Sequence, residues 1–329
     1  MSTPISPRSR RRVLLPVART ATSLFVVGAV AAAGCVGAVG ATATPVAHAA
    51  STSVPAAGLS VAATVTIDGT QYPNPLRLLD GTGVTDVARW EGTRRAELLT
   101  AFRENVYGQP LPRPTKQTAD VQTTEDGDVV SKKVTIGITG PEGTGSFPLR
   151  LFVPKGQTPR GTFLMIDHRG SVSDDPGQSS DYAPVSTITK AGYAFAQIDA
   201  NDIAPDDSGS YRSKMINLFH PSGSDLPDDA GRAVAAWAWG ASRAMDYLQT
   251  DKDIDPSKIA VIGHSRSGKA ALWAGAQDPR FAAVISNNSG STGAKLARRG
   301  DGGVGAETVS RVNSSFPYWF PKTYQAYGD

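Results

Sequence analysis

Val261-Ile262-Gly263-His264-Ser265-Arg266-Ser267-Gly268-Lys269 is the stretch on which the reading of this chain turns. The apolar run Ile259 to Ile262 enters it, and Ala271-Leu272-Trp273-Ala274-Gly275-Ala276 follows it. The pattern predicts a buried strand, a sharp turn at Ser265 and a helix over 267–277. A serine in such a turn stands at a helix N-terminus, where backbone N–H groups and the helix dipole favour developing negative charge. That is the setting of a nucleophile. The usual spacing is G-x-S-x-G; here the second glycine comes one place late, as G-x-S-x-x-G. At this level the alternative is a serine that merely caps a helix after a strand.

Working outward, the same alternation recurs. Thr162 to Ile166 and Tyr193 to Ile198 are short continuous apolar runs, the mark of strands covered on both faces. Tyr182 to Ala191 reads as a helix stopped by Gly192, and Ala282 to Ser286 as a further strand. Residues 229–249 give the most regular helical pattern. Ala230, Val234, Trp237, Ala241, Met245 and Leu248 fall on one face. Short buried strands alternating with helices define an α/β class with a mostly parallel sheet. Val134 to Ile138 alternates instead, and pairs with Leu149 to Val153 as a hairpin across the Gly-rich 140–145 turn, so the sheet is mixed. Before it, Val87 to Val106 is helical, with Leu98, Leu99, Phe102 and Val106 on one face and Gly108 and Pro110 at its end. No internal repeat is present.

Composition narrows the classes. The 329 residues are 40% hydrophobic and 19% charged, as in an ordinary folded protein. The single cysteine, Cys35, excludes an internal disulfide framework and a zinc site built on several thiolates. The net charge of +3 is a property of the N-terminus. Residues 1–49 hold five arginines and no acid, and without them 28 basic residues face 30 acidic ones. No basic cluster with interleaved aromatics remains, so nucleic acid is not an expected partner.

The N-terminus has the layout of an export signal. Arg8-Ser9-Arg10-Arg11-Arg12 is followed by an Ala/Val/Gly-rich run from Leu24 to Val39 and then by Ala47-His48-Ala49. The expected division is a signal peptide over 1–49 cleaved after Ala49, an irregular extension over 50–85, and one α/β domain over 86–329. Ser9-Arg10-Arg11-Arg12-Val13-Leu14 also resembles a twin-arginine signal. Ala32-Ala33-Gly34-Cys35 resembles a lipoprotein box with Ala where Leu is usual, a second option for this segment. A Gly-rich run of this kind is a poor permanent membrane span. The expected product is an extracellular monomer.

Gly263-His264-Ser265-Arg266-Ser267-Gly268-Lys269 resembles the G-x-S-R-x-G-K signature of the glucuronoyl esterases, carbohydrate esterase family 15. The likeness extends to Ala235-Ala236-Trp237-Ala238-Trp239-Gly240, Ser286-Asn287-Asn288-Ser289-Gly290, Glu307-Thr308-Val309 and Phe316-Pro317-Tyr318-Trp319-Phe320. Trp90, Arg94, Arg95 and Tyr107-Gly108 match the family's N-terminal segment, so the resemblance spans about 85–329. It implies an α/β-hydrolase fold, a three-layer sandwich. It implies cleavage of the ester joining glucuronic acid on glucuronoxylan to lignin alcohols, with Ser265 attacking the uronate carbonyl and forming an acyl-enzyme. Arg266 would help stabilise the oxyanion, Lys269 would contact sugar hydroxyls, and Glu307 would bind the uronate ring. No cofactor or metal is implied. Acetyl removal from xylan is the related alternative.

One feature of the sequence departs from that family. The histidines are His48, His168, His220 and His264, and none follows Ser265. In an α/β-hydrolase the order is serine, acid, histidine. Asn288 stands where some members carry the acid. The reading is therefore of a chain whose C-terminal part is missing, with an inactive relative, or a substitute base such as His168 or His220, as alternatives. An unfinished parallel sheet would expose an apolar edge and limit solubility. The acidic loop Asp199-Ala200-Asn201-Asp202 with Asp206 and Asp207 lacks EF-hand spacing and reads as a polar loop at the site's rim.

Overall fold

The structure, a computed structural model, describes residues 64–67, 69–178, 180–297 and 307–328. They belong to a single compact unit, Ala57–Asp329. The expected signal segment and the Cys35 box lie outside the described residues.

The segment expected to be irregular carries a hairpin. β1 (Thr64–Ile67) and β2 (Thr70–Pro73) pair antiparallel, with Gly69 at φ 78° between them. Helix follows from Val87 to Asn105 as α1 (Val87–Arg89), a π turn (Trp90–Arg94) and α2 (Arg95–Asn105). The Asp86 carboxylate caps it by accepting the Arg89 N–H at 2.8 Å. Leu99 and Val106 pack on the core, but Phe102 stays 43% exposed. Polar ties hold this helix across the surface: Arg94 Nε donates to the Pro75 carbonyl and Arg95 to the Ala276 carbonyl.

A meander comes next: β3 (Lys116–Asp126), β4 (Val129–Gly140) and β5 (Gly143–Pro154). The predicted hairpin is its second half, with Val134 opposite Leu149 and Gly140 opposite Gly143. Gly140 is required there, since a Cβ would lie 2.1 Å from the Leu218 carbonyl oxygen. The α/β part then runs β6 (Thr162–Asp167), α3 (Val185–Lys190), β7 (Ala194–Asp199), α4 (Ala200–Ile203), α5 (Ala233–Leu248), β8 (Ile259–His264), α6 (Arg266–Gln277), β9 (Ala283–Asn287) and α7 (Val309–Ser315). α3 starts after Pro184 rather than at Tyr182, because the residue before a proline is driven out of helical geometry.

The sheet order is β3-β4-β5-β7-β6-β8-β9. β7, β6, β8 and β9 are parallel neighbours, and the meander joins through the antiparallel β5–β7 pair. α5 and α6 cover one face, where Trp237 and Trp273 pack with Leu149, Leu164 and Val261. α3 covers part of the other, over Phe152, Met165 and Phe195. Beside α3 a cavity of about 600 Å³ is walled by Phe163, Met165, Phe195 and Ile262. β9 is the sheet's last strand among the described residues, and its Val284 and Ile285 are 38% and 37% exposed.

Candidate active site

β8 delivers the chain to Ser265, which takes φ 56° and ψ −122° before α6 begins. A serine pays steric strain in this region of backbone space, so the surroundings must enforce it. They do so from two sides. Ser265 N–H donates to the Asn287 carbonyl on β9 at 2.9 Å, and the Ser265 carbonyl accepts the Lys269 N–H at 3.1 Å. The flanking glycines make the turn sterically feasible. A Cβ on Gly263 would lie 2.1 Å from the Ser267 oxygen, and one on Gly268 would lie 3.0 Å from the Asn287 oxygen. The late glycine thus has its own reason: it lets α6 settle onto β9.

Arg266 is the first residue of α6. Its guanidinium forms an ion pair with Asp206 and lies over Trp319 and Phe316, at 4.9 Å and 5.4 Å from the ring centroids. Lys269, one turn on, is 1% exposed, and its Nζ donates to the carbonyls of Ser289 (2.6 Å) and Ser291 (2.5 Å) and to Glu307 Oε2 (2.7 Å). Burial pulls its ammonium below the ordinary lysine range, opposed by Glu307. Glu307 also accepts the Ser291 N–H at 2.8 Å. The structure therefore brings Arg266, Lys269 and Glu307 around the elbow, with the three Lys269 protons committed to pinning the 289–291 loop and Glu307.

The histidines divide. His168 follows β6, and its Nδ1 meets the Ser267 hydroxyl at 2.9 Å and the Tyr182 hydroxyl at 3.1 Å. Burial, then Arg266 and Arg169, push the imidazole down to about 4, so it is neutral at pH 7. Asp167, fully buried, shapes that loop by accepting N–H groups of Arg169 and Ser171. His264 turns toward the α3 side, 3.3 Å from the Asn287 amide and in the cavity wall. His220 sits in the loop held by Arg212 on the Pro221 and Ser224 carbonyls. Among the described residues no base is hydrogen-bonded to the Ser265 hydroxyl.

Apart from Asp206, the acidic loop after β7 uses its carboxylates internally. Asp199 accepts the Asn201 N–H, Asp202 pairs with Lys214, and Asp207 accepts the Gly209 N–H and Ser210 hydroxyl. Among the described residues no group of three or more His, Cys, Asp or Glu side chains is placed to hold a metal. Sequence alone puts Asp206 in a polar loop at the site's rim and Phe316 and Trp319 in a family-like segment; their meeting at Arg266 is seen only in the structure.

A strained serine lifted from the end of a parallel strand onto a helix N-terminus is the arrangement of the α/β-hydrolases, and comparison narrows the class. The family model for glucuronyl esterases of fungi matches residues 132–328. Carbohydrate esterase MZ0003, from an unknown prokaryotic organism, is 33% identical over 78% of this chain and 66% of its own. The 4-O-methyl-glucuronoyl methylesterase 1 of Wolfiporia cocos is 31% identical over 73% of this chain and 54% of its own. A glucuronoyl esterase structure from Solibacter usitatus superposes with a TM-score of 0.68 at 36% identity, over 78% of this chain and 72% of that one. The chain belongs to the glucuronoyl esterase family. It spans between about half and two thirds of the length of those two curated relatives.

Proposed function

We propose that the protein is an exported serine hydrolase that cleaves glucuronate esters, the linkage between glucuronoxylan and lignin alcohols. The observation that carries this reading is Ser265, held at φ 56° between Gly263 and Gly268 at the N-terminus of α6. Strain of that kind persists where function uses it. In this mechanism Ser265 Oγ attacks the ester carbonyl and gives its proton to a base. The carbonyl oxygen becomes an oxyanion facing Arg266 and the backbone N–H groups of the α6 N-terminus. The alcohol leaves with a proton, and water then hydrolyses the acyl-enzyme. Glu307, one third exposed, receives the ring hydroxyls of the uronate. Lys269, almost wholly buried, supports Glu307 and reaches the sugar only by exchanging one of its present acceptors. His168 is the imidazole that touches the first turn of α6, through Ser267. The reading calls for no metal or cofactor.

Export rests on the 1–49 pattern, and no helix among the described residues is long and apolar enough to cross a membrane. N-terminal sequencing of protein from the medium tests it, with Ala50 as the expected first residue.

The absence of a bonded base at Ser265 among the described residues favours a second reading, a carbohydrate-contacting protein without turnover. Hydrolysis of benzyl glucuronate by the secreted protein separates the two. Turnover abolished by Ser265→Ala supports the hydrolase and makes His168 the next substitution. Folded protein that binds glucuronate without turnover supports the second reading.

A further inference from the structure

Three parts of the chain converge on Asp206: the loop after β7, the elbow after β8, and the aromatic segment after α7. Its Oδ2 accepts from Arg266 Nη1. Its Oδ1 accepts from Trp319 Nε1 at 2.7 Å and from the Tyr318 hydroxyl at 2.9 Å, and Tyr318 also reaches the Asp206 carbonyl at 3.0 Å. The carboxylate is fixed from behind as well. Asp206 N–H donates to Asn201 Oδ1 at 2.9 Å, and Asn201 is held by Asp199 at the end of β7. The Asp206 side chain is 10% exposed.

Arg266 needs such a partner. It is a cation in the first turn of a helix, where the dipole repels positive charge. Its side chain is long and rotamer-rich, and without a partner it gains by swinging into water. Its Nε is buried with no partner among the described residues, so the carboxylate and the rings of Phe316 and Trp319 are what fix the guanidinium. Those rings are themselves stacked at 3.8 Å. Stabilisation of an oxyanion depends on donors that are already in place when charge develops.

We propose that Asp206 is a positioning residue for the hydrolysis: it holds the Arg266 guanidinium against Phe316 and Trp319, in the orientation an oxyanion at Ser265 requires. The inference rests on the reading of Arg266 as the oxyanion's cation.

The test uses the secreted protein with Asp206→Asn, Arg266→Ala and the double variant. Asparagine keeps an acceptor for Trp319 and Tyr318 and removes the charge that holds Arg266. On benzyl glucuronate, Asp206→Asn lowers kcat about 10- to 100-fold while KM moves less than about threefold. In the Arg266→Ala background the same substitution costs nothing further, because its effect passes through Arg266. Unchanged kcat in Asp206→Asn, or losses that multiply in the double variant, would overturn the proposal. A readout without turnover runs beside it. In protein labelled with ¹⁵N-arginine, the Arg266 side-chain N–H signals, identified by their loss in Arg266→Ala, are separate in the parent and averaged in Asp206→Asn. If the parent hydrolyses nothing, the hydrolase reading fails and these signals decide alone. Averaged signals in the parent, or identical signals in both proteins, overturn the role of Asp206.

Discussion

Ser265 N–H donates to the Asn287 carbonyl at 2.9 Å, so the strained turn is fastened to β9 as well as to the helix it begins. The strain is local to one residue, and glycine relieves it. Ser265→Gly is expected to melt above Ser265→Ala by about 1 kcal/mol, a few degrees for a domain of this size. On the hydrolase reading, neither variant turns over glucuronate esters, so the comparison is one of stability alone. Calorimetry of the pair checks it, and a lower melting point for the glycine variant would show that the turn is relaxed in the parent.

The two elbow glycines predict a graded response. At Gly263 an added Cβ meets the Ser267 backbone oxygen at 2.1 Å, and neither can move without breaking β8 or α6. At Gly268 the closest atoms are at 3.0 Å, and a shift of tenths of an ångström suffices. Gly263→Ala is expected to abolish folding or cost more than about 3 kcal/mol, and Gly268→Ala about 1–2 kcal/mol. Urea unfolding of the two proteins orders them.

Lys269 is a buried cation with three acceptors, and cutting it leaves the Ser289 and Ser291 carbonyls and Glu307 without their donor. Lys269→Met is expected to cost about 3–5 kcal/mol. Glu307→Gln keeps an acceptor beside the ammonium and costs less. The same ordering in glucuronate affinity is not expected: Glu307→Gln weakens binding directly if the carboxylate holds ring hydroxyls. Unfolding curves and calorimetric titration of both variants separate support from contact.

His168 is held near 4 against an ordinary value of about 6.5. Below pH 6.5 the unfolded chain takes up that proton while the native state does not, so stability falls as pH drops from 6.5 towards 4. Burial lowers His220 and His264 in the same direction. His168→Asn is expected to flatten the decline in melting temperature between pH 7 and 4.5. An imidazole titration by NMR with a midpoint near 6.5 for His168 would sink this.

What the sequence disclosed followed from how local the cause was. α5 was legible because its apolar stripe is one face of one helix, although its ends retreat to 233 and 248. The elbow was legible because strand, turn and helix are contiguous around Ser265. The meander strand β3 was not, since Lys116–Asp126 is mostly polar and exposed and is a strand only through its pairing with β4. The β1–β2 hairpin did leave a signal, Asp68-Gly69 between alternating residues, which favours a tight turn. The Asp206–Arg266 pair left none, because its members are 60 residues apart and meet only when three loops close on one end of the sheet.

β9 is the outermost strand of the sheet among the described residues. Ile285 lies opposite Ile262 in the β8–β9 register, on the side of the cavity beside α3, and is 37% exposed. Val284 faces the other way, against Gly275 of α6, so a charge there would disrupt packing. Edge strands with apolar side chains template association, and a lysine on the open side blocks it. Ile285→Lys is therefore expected to lower self-association of the protein with little change in melting temperature, whereas Val284→Lys lowers the melting temperature. Light scattering across a concentration series, with thermal melts of both variants, checks this. Equal association in the parent and Ile285→Lys would mean that the β9 edge is covered in solution.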